Sequence, residues 1–574
     1  MSIKNIEIAE VLSQTADLLE IEGANRFRVR AYREAANVLR NLPTEVEEMR
    51  AGGQDLATLP GIGHDLARKI TELVRTGRLQ QHEEIKLRFP AELTELLKFP
   101  GLGPRRARVL YDRLGITTLE GLAQAARQGQ IRVLPGFGTR LEWSILDELE
   151  RTRGQNQRRL RADAEADVEH LLAYLEQDRR IQEVAIAGSF RRCQETVGDL
   201  DFVAASAAGR VVIERFVRYG EIQKISSQGP TRSSVVLKSG LEVDLRVVPR
   251  ESFGATLFYF TGARSHHLAL RNRALEKGWK LNEYGLFEGD ERLAGHTEEE
   301  IYQAFGLPYI VPELREDRGE IAAAHAGRLP ELVELEDLRG DLQVHTHSSD
   351  GTASLEEMVL AAQERGYAYL AITDHAGNPG VVEGLNPAGL VDQMAEIDRL
   401  SEKLVGLRLL KGVEVDILED GRLALPDEIL KMLDLVVCAV HSHYDLPRGK
   451  QTRRIIRALE NRYCHIFAHP TGRRIGERPP VEVDLEQMMQ VALANGCFLE
   501  VNGTPDRLDL DDGACKMAKE MGLKLVLASD AHGPSQLEHM RYAVGQARRG
   551  WLEAGDVINT RKWADLQKLL KRSG

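Results

Sequence analysis

After residue 340 the chain repeats one pattern seven times, a short apolar segment that nearly always ends in a histidine or a carboxylate: DLQVHTH, YLAITDH, RLLKGVEVD, LVVCAVHSH, HIFAHP, CFLEVNG and LKLVLASDAH. Helical stretches such as SLEEMVLAAQERG separate most of them. Strands that alternate with helices run parallel, because each crossover returns the chain to the same end of the sheet. Seven such units predict a barrel whose strand C-termini all open on one face, where chemistry collects. That face gathers His345, His347, Asp350, His375, Glu414, His441, His469, Asp530 and His532. Residues two apart on a strand share a side, so His345 and His347 are expected side by side, with Val344 and Thr346 opposite. Nine nitrogen and oxygen donors exceed the needs of one ion and suit two or three divalent ions, Mn²⁺ or Zn²⁺.

At 574 residues the chain is too long for one core, and about three to four domains are expected. Hydrophobic residues at 43% and charged residues at 29% fit a soluble globular chain, and no apolar run reaches the roughly 18 residues of a membrane span. The start, MSIKNIEIAE, places Glu7 and Glu10 where a signal peptide needs an apolar stretch. A cytoplasmic monomer without a membrane partner is the expectation. Cys193, Cys438, Cys464, Cys497 and Cys515 form no C-x-x-C pair and read as reduced thiols rather than a disulfide framework or a zinc ribbon. The net charge of −12 argues against a nucleic-acid partner, yet residues 99–161 hold twelve Arg or Lys against six acids. A basic stretch on an acidic protein is a local phosphate-binding surface or a solvated helix face.

Three glycine turns punctuate the helical first 150 residues: LPGIGHDLARKI at 59–70, FPGLGPRRARVL at 99–110 and LPGFGTRLEWSI at 134–145. Each pairs two glycines, Gly61 with Gly63, Gly101 with Gly103 and Gly136 with Gly138, ahead of an amphipathic helix. Glycine lets the backbone approach a phosphate, and the helix start offers free N–H groups and a positive dipole end. Arg105 and Arg106 follow the second turn directly. The pattern resembles the helix-hairpin-helix motif, which grips the DNA backbone without reading sequence.

Between about 160 and 310, strands mix with helices. In AGSFRRCQETVGDLDF, Asp199 and Asp201 leave one face of a strand; in LEVDLRVV, Asp244 shares a face with Glu242 and Arg246, while Leu241, Val243 and Leu245 face the core. Three converging carboxylates can hold two Mg²⁺ ions, which clamp an in-line phosphoryl transfer. Gly188 and Ser189 at a strand end, followed by Arg191 and Arg192, suit triphosphate oxygens.

GSFRRCQETVGDLDF, with Asp244 downstream and FYFTGARSHHLALR after it, resembles the palm and thumb of family X DNA polymerases, and the likeness covers roughly residues 1–315. It implies that Asp199, Asp201 and Asp244 form the catalytic triad that binds Mg²⁺ or Mn²⁺. It further implies that Gly188, Ser189 and Arg192 hold the incoming dNTP, that Tyr259, Phe260, Thr261 and Gly262 line the sugar pocket, and that Arg271 approaches the template. The first domain is similar to the lyase domain of the same family. There Lys69 matches the Schiff-base lysine, and Arg28 and Tyr32 fall near the phosphate site, so lyase chemistry and simple 5′-phosphate binding are both open. The chain departs from the animal pattern at Arg264 and His267 near the base, at Glu242 in place of an arginine, and at Asp65 in place of a lysine. The last segment is similar to the polymerase and histidinol phosphatase (PHP) domain, a metal-dependent phosphoesterase with a distorted seven-stranded barrel.

The expected fold is therefore multidomain: α-helical N-terminal helix-hairpin-helix domains, an α+β nucleotidyltransferase palm and thumb, and a C-terminal distorted (β/α)7 barrel. The expected boundaries are 1–85 (lyase-like), 86–157 (helix-hairpin-helix, fingers-like), 158–250 (palm), 251–311 (thumb-like), 312–339 (linker) and 340–574 (barrel). The resemblance implies a DNA-directed polymerase that fills short gaps in base-excision-type repair. The barrel would add a 3′–5′ exonuclease or 3′-phosphoesterase, with AP endonuclease activity a further option. The alternative is a polymerase whose barrel is a silent metal site or a DNA-binding scaffold.

Overall fold

The computed structural model describes residues 5–40, 55–59, 61–76, 78–86, 88–90, 102–118 and 130–134 with some single positions between them, and residues 158–377 and 384–571. It divides into two compact units, Met1–Asn156 and Gln157–Gly574. No helix among the described residues is long and apolar enough to cross a membrane.

The first unit is helical: α1 (Asn5–Glu22), α2 (Arg26–Arg40), α3 (His64–Thr76), α4 (Gln80–Lys86) and α5 (Pro104–Leu114). Ile8, Leu12, Ala16 and Leu19 recur at helical spacing on α1 and are buried. A single core runs from Ile8 through Ile85 to Phe137, so among the described residues no break in packing falls at the expected boundary of 85/86. Gly61, at φ +83°, turns the chain ahead of α3. Gly103 caps α5, with Pro104 at the first helical position, where its missing N–H costs nothing.

The palm is a five-stranded sheet of β1 (Glu183–Ile186), β2 (Asp199–Ala205), β3 (Ile222–Gln228), β4 (Arg232–Leu237) and β5 (Glu242–Val248), in the order β1-β2-β5-β4-β3. Only β2 and β5 are parallel neighbours, and their register sets Asp201 opposite Asp244 and Asp199 opposite Glu242. As expected, Val243 and Leu245 are buried while Glu242, Asp244 and Arg246 occupy the other, half-covered face. The thumb follows with α6 (Phe253–Thr261), α7 (Arg264–Glu276) and a three-stranded antiparallel sheet of β6 (Trp279–Asn282), β7 (Gly285–Glu288) and β8 (Glu291–Ala294).

The barrel strands are β9 (Gly340–Asp341), β10 (Tyr369–Ile372), β11 (Arg408–Asp416), β12 (Leu435–Ala439), β13 (Ile466–Phe467), β14 (Phe498–Asn502) and β15 (Leu525–Ala528), each parallel to the next. A parallel bridge between Val344 and Ala531 joins the segments that follow β9 and β15. A further short strand, His375–Ala376, pairs with β11. Leu342, directly after β9, meets Ala371, Leu410, Val437, Ile466, Phe498 and Val526 from the other six strands in one cluster, the barrel interior. Alternate residues such as Val436 and Cys438 pack outward against helices.

The segment 312–339 is not the linker expected from its proline and glutamate content. Leu314, Ile321, Ala324 and Leu332 join the thumb core, and Val333 and Leu338 join the barrel core. Apolar residues spaced through the passage tie it down on both sides, so palm, thumb and barrel share one compact unit. The helix Met540–Arg549, here α8, carries much of the contact: Arg541 and Tyr542 reach Glu165, Gln546 reaches Glu195, and Arg548 reaches Glu313.

Candidate active sites

The palm site follows from the parallel β2–β5 pair. A helical turn, Gly188–Arg191, begins directly after β1, and the Ala187 N–H donates to the Asp201 carbonyl at 2.7 Å. Gly188 adopts φ +64°, and a Cβ there would lie 2.7 Å from Asp201 Oδ2, so only glycine lets the carboxylate approach the turn this closely. Burial, with the carboxylates of Asp199 and Asp244 nearby, pushes Asp201 up to about 7. Partial burial and the carboxylates of Asp244 and Glu242 also raise Asp199. Such crowding is relieved by divalent cations, so the donor set fits a metal site of hard oxygen ligands. Arg232, on the neighbouring strand, donates to Asp244 Oδ2 at 2.9 Å. Arg246 lies over the Phe260 ring at 3.9 Å, linking the thumb to the carboxylate face.

Ser189 is half-buried in the Gly188 turn. Tyr259 is partly exposed and packs edge-on against His267 at 4.6 Å. Thr261 is fully buried, its hydroxyl accepting from Arg191 at 2.7 Å, so of this residue only the backbone remains for a nucleotide. Gly262 takes φ +73°, and Arg271 is exposed on α7. Arg192 donates from Nε to Glu316 at 2.9 Å and from Nη1 to the Thr261 carbonyl.

In the barrel mouth, three groups bring ligand atoms within 4.8 Å of one another: His345, Asp350, His375 and His532; His375, Glu414 and His441; and His345, Glu414 and Asp530. Glu414 sits at the centre, 3.3 Å from His345, 3.1 Å from His441 and 3.1 Å from His469. Asp350 approaches His532 at 3.2 Å and His375 at 3.5 Å. Burial alone would raise Glu414 and Asp350, but the surrounding histidines hold both well below the usual carboxylate range. His345 is raised because Asp530 and Glu414 overcome the effect of its burial.

The ring nitrogens fit a metal centre. His441 Nδ1 pairs with Asp416 at 2.6 Å, and His532 Nδ1 with the Asp530 carbonyl at 2.8 Å, so an Nδ1–H there leaves each Nε2 lone pair for an ion. Both ring nitrogens of His345 and Nδ1 of His469 are buried without a hydrogen-bond partner among the described residues. His347 stands apart from the three groups. Regular strand pairing ends before it, so the two-residue alternation with His345 does not carry through; its side chain is exposed and its Nδ1 meets the Ala353 carbonyl at 3.2 Å. That bond uses Nδ1, and Nε2 has no hydrogen-bond partner among the described residues.

Sequence reasoning missed the groups that hold these candidate ligands. Glu500 accepts the His469 N–H at 2.6 Å, Asn502 donates to Asp530 at 3.0 Å, and Gln343 donates to Glu414 at 3.0 Å. Asp374 accepts the N–H of Thr346 at 2.8 Å and its hydroxyl at 2.6 Å, fixing the loop that carries Asp350. The available signal was position: Gln343 and Asp416 lie two residues from a ligand, and Glu500 and Asn502 share one face of β14.

In the first unit, Lys69 and Arg28 line an open cavity of about 660 Å³. The Lys69 amine meets Asp65 at 2.5 Å and lies 5.1 Å from the Tyr32 ring centre. Tyr32 itself is buried, its hydroxyl donating to Gln81. Gly63 and Arg105 are exposed and Arg106 half-buried; Gly101, Gly136 and Gly138 lie outside the described residues.

A nucleotidyltransferase palm with its thumb, joined to a histidine-rich parallel barrel, defines a two-centre enzyme of phosphoryl chemistry. Family models agree: a helix-hairpin-helix domain matches residues 3–79, a SAM-like helix-hairpin-helix tandem 93–151, a DNA polymerase beta thumb 256–316 and a PHP domain 341–502. The chain belongs to the family X DNA polymerases that carry a C-terminal PHP domain. It is 37% identical over 571 residues to the DNA polymerase/3′-5′ exonuclease PolX of Bacillus subtilis (strain 168), covering 99% of both chains. Its barrel is 31% identical over 233 residues to a probable phosphatase of Thermoanaerobacter sp. (strain X514), a stretch covering 38% of this chain and 90% of that protein.

Proposed function

We propose that the chain is a DNA-directed DNA polymerase that fills short gaps during repair, and that its barrel removes nucleotides or blocking phosphates from the 3′ end. What carries the reading is the pairing of Asp201 and Asp244 across parallel strands beside the Gly188 turn, on the same chain as the Glu414-centred cluster. Asp199, Asp201 and Asp244 would hold Mg²⁺ or Mn²⁺; the imidazole-rich barrel would hold two or three ions of Mn²⁺ or Zn²⁺. Bound at either place, divalent ions supply the Lewis-acid charge that activates an attacking oxygen and steadies the departing one.

The chain's own residues do the rest. Gly188, Ser189 and Arg192 orient the triphosphate of a dNTP, and Tyr259, Phe260 and the backbone at Thr261–Gly262 shape the sugar side. Asp416 and the Asp530 carbonyl fix the tautomers of His441 and His532, and Asp374 holds the loop bearing Asp350. His347, which lies outside the three groups, would add its Nε2 as a further ligand. The paired glycine turns grip the DNA backbone, and Arg28 and Lys69 take the 5′ phosphate across the gap.

The test is a labelled one-nucleotide gap incubated with dNTP and Mg²⁺, then with Mn²⁺ alone. Extension in the first and 3′ shortening in the second is expected. A purified, metal-replete chain that does neither overturns the reading.

A further inference from the structure

Arg192 reaches its place through a barrel residue. Its guanidinium is planar, so fixing two nitrogens aims the third. Nε is held by Glu316 and Nη1 by the Thr261 carbonyl, while Nη2 has no hydrogen-bond partner among the described residues. Glu316 Oε1 is shared: it accepts from Arg192 at 2.9 Å, from Gln194 at 2.7 Å and from Arg549 at 2.9 Å. The same Nη1 of Arg549 donates to the backbone carbonyl of Arg192 at 2.7 Å, and its Nη2 is anchored on Asp512 at 2.5 Å. Arg549 closes α8 of the barrel, and its side chain is only 3% exposed. One buried guanidinium therefore grips both the main chain of Arg192 and the carboxylate that aims its side chain.

We propose that Arg549 is a positioning residue for nucleotide binding: from the barrel, it sets Arg192 toward the triphosphate of the incoming dNTP. This rests on the reading of Arg192 as a triphosphate ligand. Without Arg549, the Glu316 carboxylate loses the contact that fixes it and no longer aims the Arg192 side chain, and the Arg192 backbone loses its pin. Both effects weaken nucleotide binding and leave the metal carboxylates Asp199, Asp201 and Asp244 where they are. The barrel is thus a working element of the polymerase site as well as a second catalytic centre, and removing it would impair dNTP capture.

The test compares full-length Arg549→Met, Glu316→Gln, Arg192→Ala and Arg541→Met. The last removes an ion pair of the same interface, that of Arg541 with Glu165, without touching Arg192 or Glu316. Single-nucleotide extension yields KM for dNTP and kcat separately, and barrel cleavage checks that each variant is folded. Arg549→Met is expected to raise KM for dNTP about tenfold, the loss of one charge-assisted hydrogen bond, with kcat within about threefold. Glu316→Gln should raise KM likewise, and its result decides if Arg549→Met does not fold. Arg541→Met should leave KM unchanged. An unchanged KM in Arg549→Met alongside a raised KM in Arg192→Ala overturns the proposal, as does an equal rise in Arg549→Met and Arg541→Met, which marks mere interface glue. An unchanged KM in Arg192→Ala overturns the triphosphate reading and the proposal with it.

Discussion

Replacing Gly188 by alanine tests the palm where backbone and carboxylate leave least room. The residue sits at φ +64°, which costs a non-glycine residue about 1–2 kcal/mol. The new Cβ would stand 2.7 Å from Asp201 Oδ2, against 3.4 Å or more for ordinary contact, so the carboxylate must retreat by about 0.7 Å. A displacement approaching 1 Å at a reacting centre lowers rates by about 100-fold. We therefore expect a stability loss of about 1–3 kcal/mol and extension slowed about 100-fold, with barrel cleavage intact. Gly220→Ala, where an added Cβ meets nothing within 4 Å and φ is not positive, is the control for the substitution itself. The assay is single-turnover incorporation into a one-nucleotide gap in Mg²⁺, with 3′ shortening in Mn²⁺ measured on the same preparation. If Gly188→Ala extended as fast as Gly220→Ala, the close approach of Asp201 to the turn would have no role in placing a catalytic carboxylate.

Glu414→Gln removes the charge shared by His345, His441 and His469; bound metal measured by elemental analysis should fall, and Mn²⁺-dependent cleavage should drop by more than about 100-fold. Persistent cleavage would move the nuclease out of the barrel. Glu298 is held down to about 2 because Arg315 and Arg191 outweigh its burial, so its folded value lies below its unfolded one. Its contribution, about 3 kcal/mol at neutral pH, is present above about pH 4.5 and is lost as pH falls toward 2. Urea midpoints of wild type should decline across that window, and those of Glu298→Gln should decline less steeply; parallel slopes would contradict the assignment. Arg28→Ala with Lys69→Ala should erase any preference for gaps bearing a 5′ phosphate, and in wild type that preference should weaken as salt rises. Equal use of phosphorylated and unphosphorylated gaps by wild type would remove the phosphate role of the cavity.

Much of the two candidate centres was legible because charged residues stand at strand positions where packing alone would not put them. Asp199, Asp201 and Asp244 stand out against the alternating apolar β2 and β5, and the candidate barrel ligands sit at the ends of otherwise apolar runs. What did not read out was set by contacts distant in sequence. Segment 312–339 looked like a linker by composition, yet its spaced leucines and Ile321 find partners in two separate cores. Thr261 carries the sequence pattern of a pocket residue, but its hydroxyl is taken by Arg191 seventy positions earlier. His347 follows His345 at strand spacing, but the pairing that would impose that spacing stops first. Arg549 lies in a helix with an ordinary amphipathic pattern, and nothing local marks its bond to the Arg192 carbonyl.

That one chain holds two separate phosphoryl-transfer centres is tested by giving Asp201→Ala and Glu414→Gln the same labelled gapped duplex, with dNTP and Mg²⁺ in one arm and Mn²⁺ alone in the other. Opposite losses are expected: Asp201→Ala ceases to extend but still shortens the 3′ end, and Glu414→Gln extends but no longer shortens it. Loss of both activities in either folded variant, or retention of both, would contradict it.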